Sequence, residues 1–169
     1  DKIDTLVGFF GINEKPTSSK DPFALRRIAL AVIRIIIENK KNLKISDLLS
    51  YSSSLYKDQG HNFTNVDLQK DLHTFLKDRF RYYMKEKQIR FDIIDASISS
   101  FSLNKLFSSF EKAKSLNKII NNQDGLDITS SYKRALNILD SEMKNNKVEI
   151  SNTTDPGIFK NDFEKNLYK

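Results

Sequence analysis

Lys133, Arg134 and Asn137 lie on what reads as the last long helix, and they are the group best placed in this sequence to do chemistry on a nucleic acid. Lys and Arg can hold phosphate oxygens while an amide side chain nearby hydrogen-bonds a base edge. Two further pairs, Arg26 with Arg27 and Arg79 with Arg81, offer the planar guanidinium fork that grips phosphate through parallel donors. Arg27 and Arg34 stand two turns apart on one side of a helix, and Arg34 can reach Glu38 at i+4. Two readings follow: an ion pair where the helix meets its neighbour, or phosphate binding. Tyr51, Tyr56, Tyr82, Tyr83 and Tyr132 could stack on splayed bases, although aromatic residues on helices more often fill a core.

Catalytic groupings are sparse. His61 and His73 are far apart in sequence, with no H-E-x-x-H motif and no His-Asp pair, and no glycine-rich phosphate loop occurs. Cysteine is absent, which excludes disulfides and thiolate metal sites. Asp1 and Asp4 could ligate a metal, but without histidine partners they read as carboxylates suited to a helix N-terminus. We therefore expect no catalytic residue, metal or cofactor in this segment. His73, beside Leu72 and Phe75, reads as a histidine at the edge of a core.

The elements that must position these groups are helical throughout. The longest apolar run is Asp21 to Lys40, where Asp21 reads as an N-cap and Pro22 as the first helical residue. Phe23, Leu25, Ile28, Ala29, Val32, Ile33, Ile35 and Ile36 cover most of its circumference and leave Arg26, Arg27, Arg34 and Glu38 as a polar stripe. Three arginines argue against a membrane span, so this is the buried central helix. Before it, Asp1 to Phe10 reads as the end of a helix and Gly11 to Lys20 as a loop.

After the central helix, Ser46 is expected to cap a short helix from Asp47 to Lys57, closed by Gly60. Val66 to Lys87 is a second long amphipathic helix, with Leu68, Leu72, Phe75, Leu76, Phe80, Tyr83 and Met84 inward and Lys70, Lys77, Arg79, Arg81, Lys85 and Lys87 outward. A short helix around Phe91 to Ile98 precedes one from Leu103 to Ile120, with Leu106, Phe107, Phe110, Ala113, Leu116 and Ile120 inward. Gly125 is expected to break that run. Thr129 to Asn145 is the last good helix, with Tyr132, Leu136, Leu139 and Met143 as its apolar row, and Lys147 to Gly157 is a loop. No long strand alternation and no repeat of fixed period occurs.

The 169 residues suffice for one domain with a core or for the ends of two neighbouring ones. With 28 Lys+Arg against 22 Asp+Glu, the net charge of +6 suits an anionic partner such as RNA without requiring one. No signal-peptide pattern and no charge-free apolar run of about 18 residues is present, so no membrane partner is expected and the cytoplasm is the expected location. The opening DKIDTLVGFF lacks an initiator Met and reads as cut from something longer.

The strings DKIDTLVGFFGI, PTSSKDPFALRRIALAVIRIIIE, FDIIDASIS and SYKRALNIL, in this order, resemble the C-terminal half of the bacterial glycyl-tRNA synthetase β subunit. The resemblance implies an all-α fold: residues 1–20 as the end of a His-Asp-like helical domain and its loop, 21–125 as a central helical domain, and 126–169 as the truncated start of a DALR-type anticodon-binding module. It also implies an aminoacyl-tRNA synthetase, the glycine–tRNA ligase, assembled as an α2β2 heterotetramer. There ATP and glycine are handled on the α subunit, and the β subunit recognises tRNA-Gly. No cofactor is implied for this segment itself. On this reading the tRNA-binding candidates are Lys133, Arg134, Asn137, Arg26, Arg27, Arg79 and Arg81. The alternatives are a helical module that docks onto the partner subunit and a degenerate His-Asp phosphohydrolase-like domain.

Overall fold

The computed structural model describes residues 1–99, 101–146 and 154–168, and among them it holds eight α-helices and no strand. The fold is all-α, as the periodicity indicates. The chain divides into two compact units, Asp1–Asn122 and Gln123–Lys169.

The first unit contains α1 (Lys2–Gly11), α2 (Leu25–Glu38), α3 (Ile45–Asp58), α4 (Leu68–Glu86), α5 (Phe91–Ser99) and α6 (Leu106–Ile120), with a 3-10 turn at Leu103–Lys105 leading into α6. Helix α1 packs on α2, α3 and α4, α2 lies between α4 and α6, and α5 rests on α4 and α6. The core draws Leu6, Val7 and Phe10 from α1, Ala29, Ile33 and Ile36 from α2, and Leu72, Leu76, Phe80 and Met84 from α4. Each fully buried Leu, Ile or Phe contributes about 1.5–3 kcal/mol. The ion pairs of this unit are all partly exposed and individually contribute less. Apolar packing therefore sets the arrangement of the helices.

Helix α2 starts later than the sequence suggests. Its first helical residue is Leu25, and Asp21-Pro22-Phe23-Ala24 forms a turn ahead of it, with Ala24 in the left-handed region at φ 55°. Asp21 still satisfies the helix N-terminus, because its carboxylate accepts from the backbone N–H groups of Leu25 at 2.8 Å and Arg26 at 3.0 Å. Phe23, expected on the buried face, instead stacks on Phe9 with ring centroids 4.1 Å apart and pins the turn to α1. Ile35 is also exposed.

Other boundaries move for identifiable reasons. Ser46 lies inside α3, whose N-cap is Lys44, and both its N–H and its hydroxyl donate to Asn104 Oδ1, at 3.1 and 2.8 Å. Val66 is fully solvent-facing ahead of α4, where Asn65 Oδ1 accepts from the Asp67 N–H. Leu116 on α6 is exposed rather than inward.

Four successive helices end in one motif. Asn13, Lys40, Gly60 and Gln88 each take positive φ one residue past the C-cap, and the next N–H reaches back to the helix: Glu14 to Phe9, Lys41 to Ile36, His61 to Tyr56 and Ile89 to Met84. This is the Schellman arrangement, which pairs carbonyls that the helix end would leave open.

In the second unit, α7 (Gln123–Asn146) begins six residues before the expected Thr129, so Gly125 does not break the chain there. It sits in the first turn, where Thr129 Oγ1 donates to its carbonyl at 2.7 Å. A 3-10 turn at Pro156–Ile158 and helix α8 (Asp162–Tyr168) follow. Residues 147–153 of the expected Lys147–Gly157 loop lie outside the described residues.

Candidate nucleic-acid interface

Helices α2 and α4 present a groove of about 770 Å³ between them. Arg26, Arg27 and Arg34 from α2 and Arg79 and Tyr82 from α4 line it, with Leu30, Ala31 and Ile35 as apolar wall and Asp21 and Glu38 as acidic groups. The register follows from helical geometry: residues 27, 30, 31 and 34 share a stripe on α2, and 79 and 82 share one on α4. The core faces of both helices are turned away into the hydrophobic interior.

The arginines of this unit divide into tied and untied. Arg26 donates through Nη2 to the Thr17 carbonyl and so orders the loop before α2. Arg34 pairs with Glu86 at 3.1 Å rather than with Glu38, so the structural ion pair between helices is realised with a partner on α4. Arg81 pairs with Asp95 at 2.5 Å and Arg90 with Asp92 at 2.8 Å. Arg27 and Arg79 form no ion pair among the described residues. The Arg79 guanidinium instead lies 5.9 Å from the Phe75 ring centroid and 5.8 Å from that of Tyr82, and its Nε is buried with no acceptor. The two rings lie within cation–π reach of the guanidinium, and its buried Nε has no hydrogen-bond partner.

On α7, Lys133, Arg134 and Asn137 share one exposed face with Ser130, Ile138 and Ser141. The structure thus brings these three together on a single helix, as the spacing indicates. The apolar row Tyr132, Leu136, Leu139 and Met143 is exposed as well, 39–63% of each side chain being open to solvent.

The tyrosines separate into two kinds. Tyr83 is buried in the core, and burial, with Glu38 and Glu86 adding to it against Arg34, pushes its phenol pKa up. Tyr56 is half-buried and donates from its hydroxyl to the Asp4 carbonyl at 3.0 Å. Tyr51, Tyr82 and Tyr132 are exposed. His73 sits edge-on to Phe101 and His61 edge-on to Tyr56. Asp4 accepts from the buried Ser52 hydroxyl at 2.6 Å, which ties α1 to α3. No group of three or more His, Asp or Glu among the described residues could hold a metal ion, and none of their helices is long and apolar enough to cross a membrane.

Tyr82 is the groove residue that sequence reasoning did not place, since it stood among five tyrosines with nothing to single it out. The signal available was its three-residue step from Arg79 on the cationic side of α4.

Residues 1–99 match the family model described as glycyl-tRNA synthetase beta subunit. Over 99% of its length the chain is 39% identical to the glycine–tRNA ligase beta subunit of Rickettsia canadensis and 35% identical to that of Cereibacter sphaeroides, covering 23% and 24% of those proteins. The corresponding protein of Dinoroseobacter shibae is 34% identical, with 27% of it covered. The chain spans about a quarter of the length of these curated relatives. With more than half of its residues inside the family model, the chain belongs to the glycyl-tRNA synthetase β-subunit family.

Proposed function

We propose that this chain is a tRNA-recognition part of the β subunit of a glycine–tRNA ligase, in which the α subunit of an α2β2 assembly carries out ATP-dependent glycylation of tRNA-Gly. On this reading the segment itself is non-catalytic, holds no cofactor and works in the cytoplasm. Residues 1–20 end a His-Asp-like domain, 21–125 form the central helical domain and 126–169 open a DALR-type anticodon-binding module. The observation that carries the reading is the exposed face of Lys133, Arg134 and Asn137 on α7, in a chain whose relatives are named for a tRNA ligase. The cations hold phosphates and the amide reads a base edge.

Binding of the chain to a tRNA-Gly transcript and to an anticodon-substituted one, at about 50 and 200 mM salt, tests this. Steeply salt-dependent binding that favours tRNA-Gly and is weakened by Lys133→Ala and Arg134→Ala is expected. A helical, folded chain that binds neither transcript at the lower salt overturns it. A second reading, docking onto the partner subunit, is favoured by the exposed Tyr132, Leu136, Leu139 and Met143 row. Its affinity would depend little on salt and fall on Leu136→Ser.

A further inference from the structure

We infer that the α2–α4 groove is a second RNA site, which takes an unpaired nucleotide: Arg27 and Arg79 hold its flanking phosphates and Tyr82 offers the ring on which the base stacks. The inference rests on the proposed tRNA reading and adds to it a site on the other unit. Of the six arginines between Asp1 and Asn122, four are committed to Thr17, Glu86, Asp95 and Asp92. The two that remain line the same groove. Arg79 lies within cation–π reach of two rings, its buried Nε lacks an acceptor, and its guanidinium forms no ion pair among the described residues. Tyr82 beside it keeps 45% of its surface open.

The acidic groups of the groove leave these two cations without an ion pair among the described residues. Both Asp21 oxygens accept from the first N–H groups of α2. Glu38 lies eleven residues along α2 from Arg27, about 16 Å at 1.5 Å per residue, with the Arg34–Glu86 pair in between. An acidic peptide could meet the two guanidinium groups, but it would make no use of an exposed aromatic ring beside them. A nucleotide uses both, through charge-assisted bonds to phosphate and base-on-ring stacking.

The test is titration of the chain with a tRNA-Gly transcript between about 50 and 200 mM salt, for the wild type, Arg27→Gln/Arg79→Met and Tyr82→Ala. The Met side chain keeps the packing of the Arg79 stem, and helix content and melting by circular dichroism report folding. The double variant is expected to lose at least about tenfold in affinity and to flatten the log–log salt slope by about 1.4–1.8, for two phosphate contacts. Tyr82→Ala is expected to lose about fivefold or more with its slope unchanged, because stacking releases no counterion. If the double variant does not fold, Arg27→Gln alone, at an exposed position, should show half the slope change. Unaltered affinity and slope in the folded variants, with wild-type binding intact, overturns the groove and leaves the tRNA reading standing. A folded wild type that binds no transcript overturns both. Displacement of the RNA by polyglutamate at equal charge concentration also overturns the groove as a nucleotide site.

Discussion

Arg34 on α2 donates through Nη2 to Glu86 Oε2 on α4 at 3.1 Å, across 52 residues of sequence, instead of to Glu38 one turn along its own helix. The pair fastens together the two helices that form the groove. Both side chains are more than a third exposed, so water and salt screen the attraction. Arg34→Ala, Glu86→Ala and the double variant should give a coupling of about 0.2–1 kcal/mol in urea unfolding, shrinking as salt is added. A coupling of several kcal/mol would mean that the pair is far better shielded than its exposure indicates.

Gly11 marks a close approach that tolerates no side chain. A Cβ there would fall far inside van der Waals contact of the Phe63 ring, and the Gly11 carbonyl accepts from both Thr64 and Asn65 N–H groups, so neither side can retreat freely. Gly11→Ala should destabilise the first unit by about 1–3 kcal/mol, as overpacking does. Phe63→Ala in the same background should return part of that loss.

Lys40 and Gln88 stand at left-handed positions in Schellman caps where a Cβ is strained, whereas Gly60 occupies the equivalent position after α3 without strain. Lys40→Gly and Gln88→Gly should each stabilise by up to about 1 kcal/mol, seen as a higher urea midpoint at constant slope. Gly60→Ala, with open space around its Cβ but φ at +82°, should destabilise by about 1–2 kcal/mol through backbone strain alone.

Acid should unfasten one contact between the loop after α1 and α4. Lys15 Nζ at 2.5 Å and Asn65 Nδ2 at 2.9 Å donate to Asp71, and these bonds hold its carboxyl below the usual carboxylate range. A carboxyl whose pKa is lower folded than unfolded stabilises fully above the unfolded value and loses that contribution as pH falls through it to the folded one. Asp71→Asn should therefore be less stable than wild type at pH 7, by about 1 kcal/mol or less for so exposed a pair, and the gap should narrow as pH falls below the unfolded carboxyl value of about 4. A gap that stays constant to pH 3 would assign the difference to Asn65 or to packing rather than to charge.

Much of the architecture was legible because apolar residues recur at helical steps. Leu72, Leu76, Phe80, Tyr83 and Met84 in α4 are buried as that pattern requires. What escaped were relations between distant residues. Ser46 serves Asn104, 58 residues away, rather than a helix end. Ser52, in a stretch that read as a short helix with no partner indicated, is buried against Asp4. The same limit applies to the candidate site. The Lys133, Arg134 and Asn137 face lies on one helix and could be read from spacing. The groove needs α2 beside α4, and only the folded loop before α2 and the docking of α5 distinguish untied Arg27 and Arg79 from Arg26 and Arg81, which the protein uses internally.

The repeated cap after α1, α2, α3 and α4 bears on how the polypeptide acquires its shape. Each cap is closed by hydrogen bonds between near neighbours and needs no distant residue. During synthesis at roughly 5–20 residues per second, a helix of this length has ample time to form and be terminated before the next emerges, since helix formation takes microseconds or less. Helices this short are marginal alone, so the caps bias each emerging segment toward helix with a defined end, and packing then makes it stable. Contacts so local place the unit with the rapidly folding helical proteins.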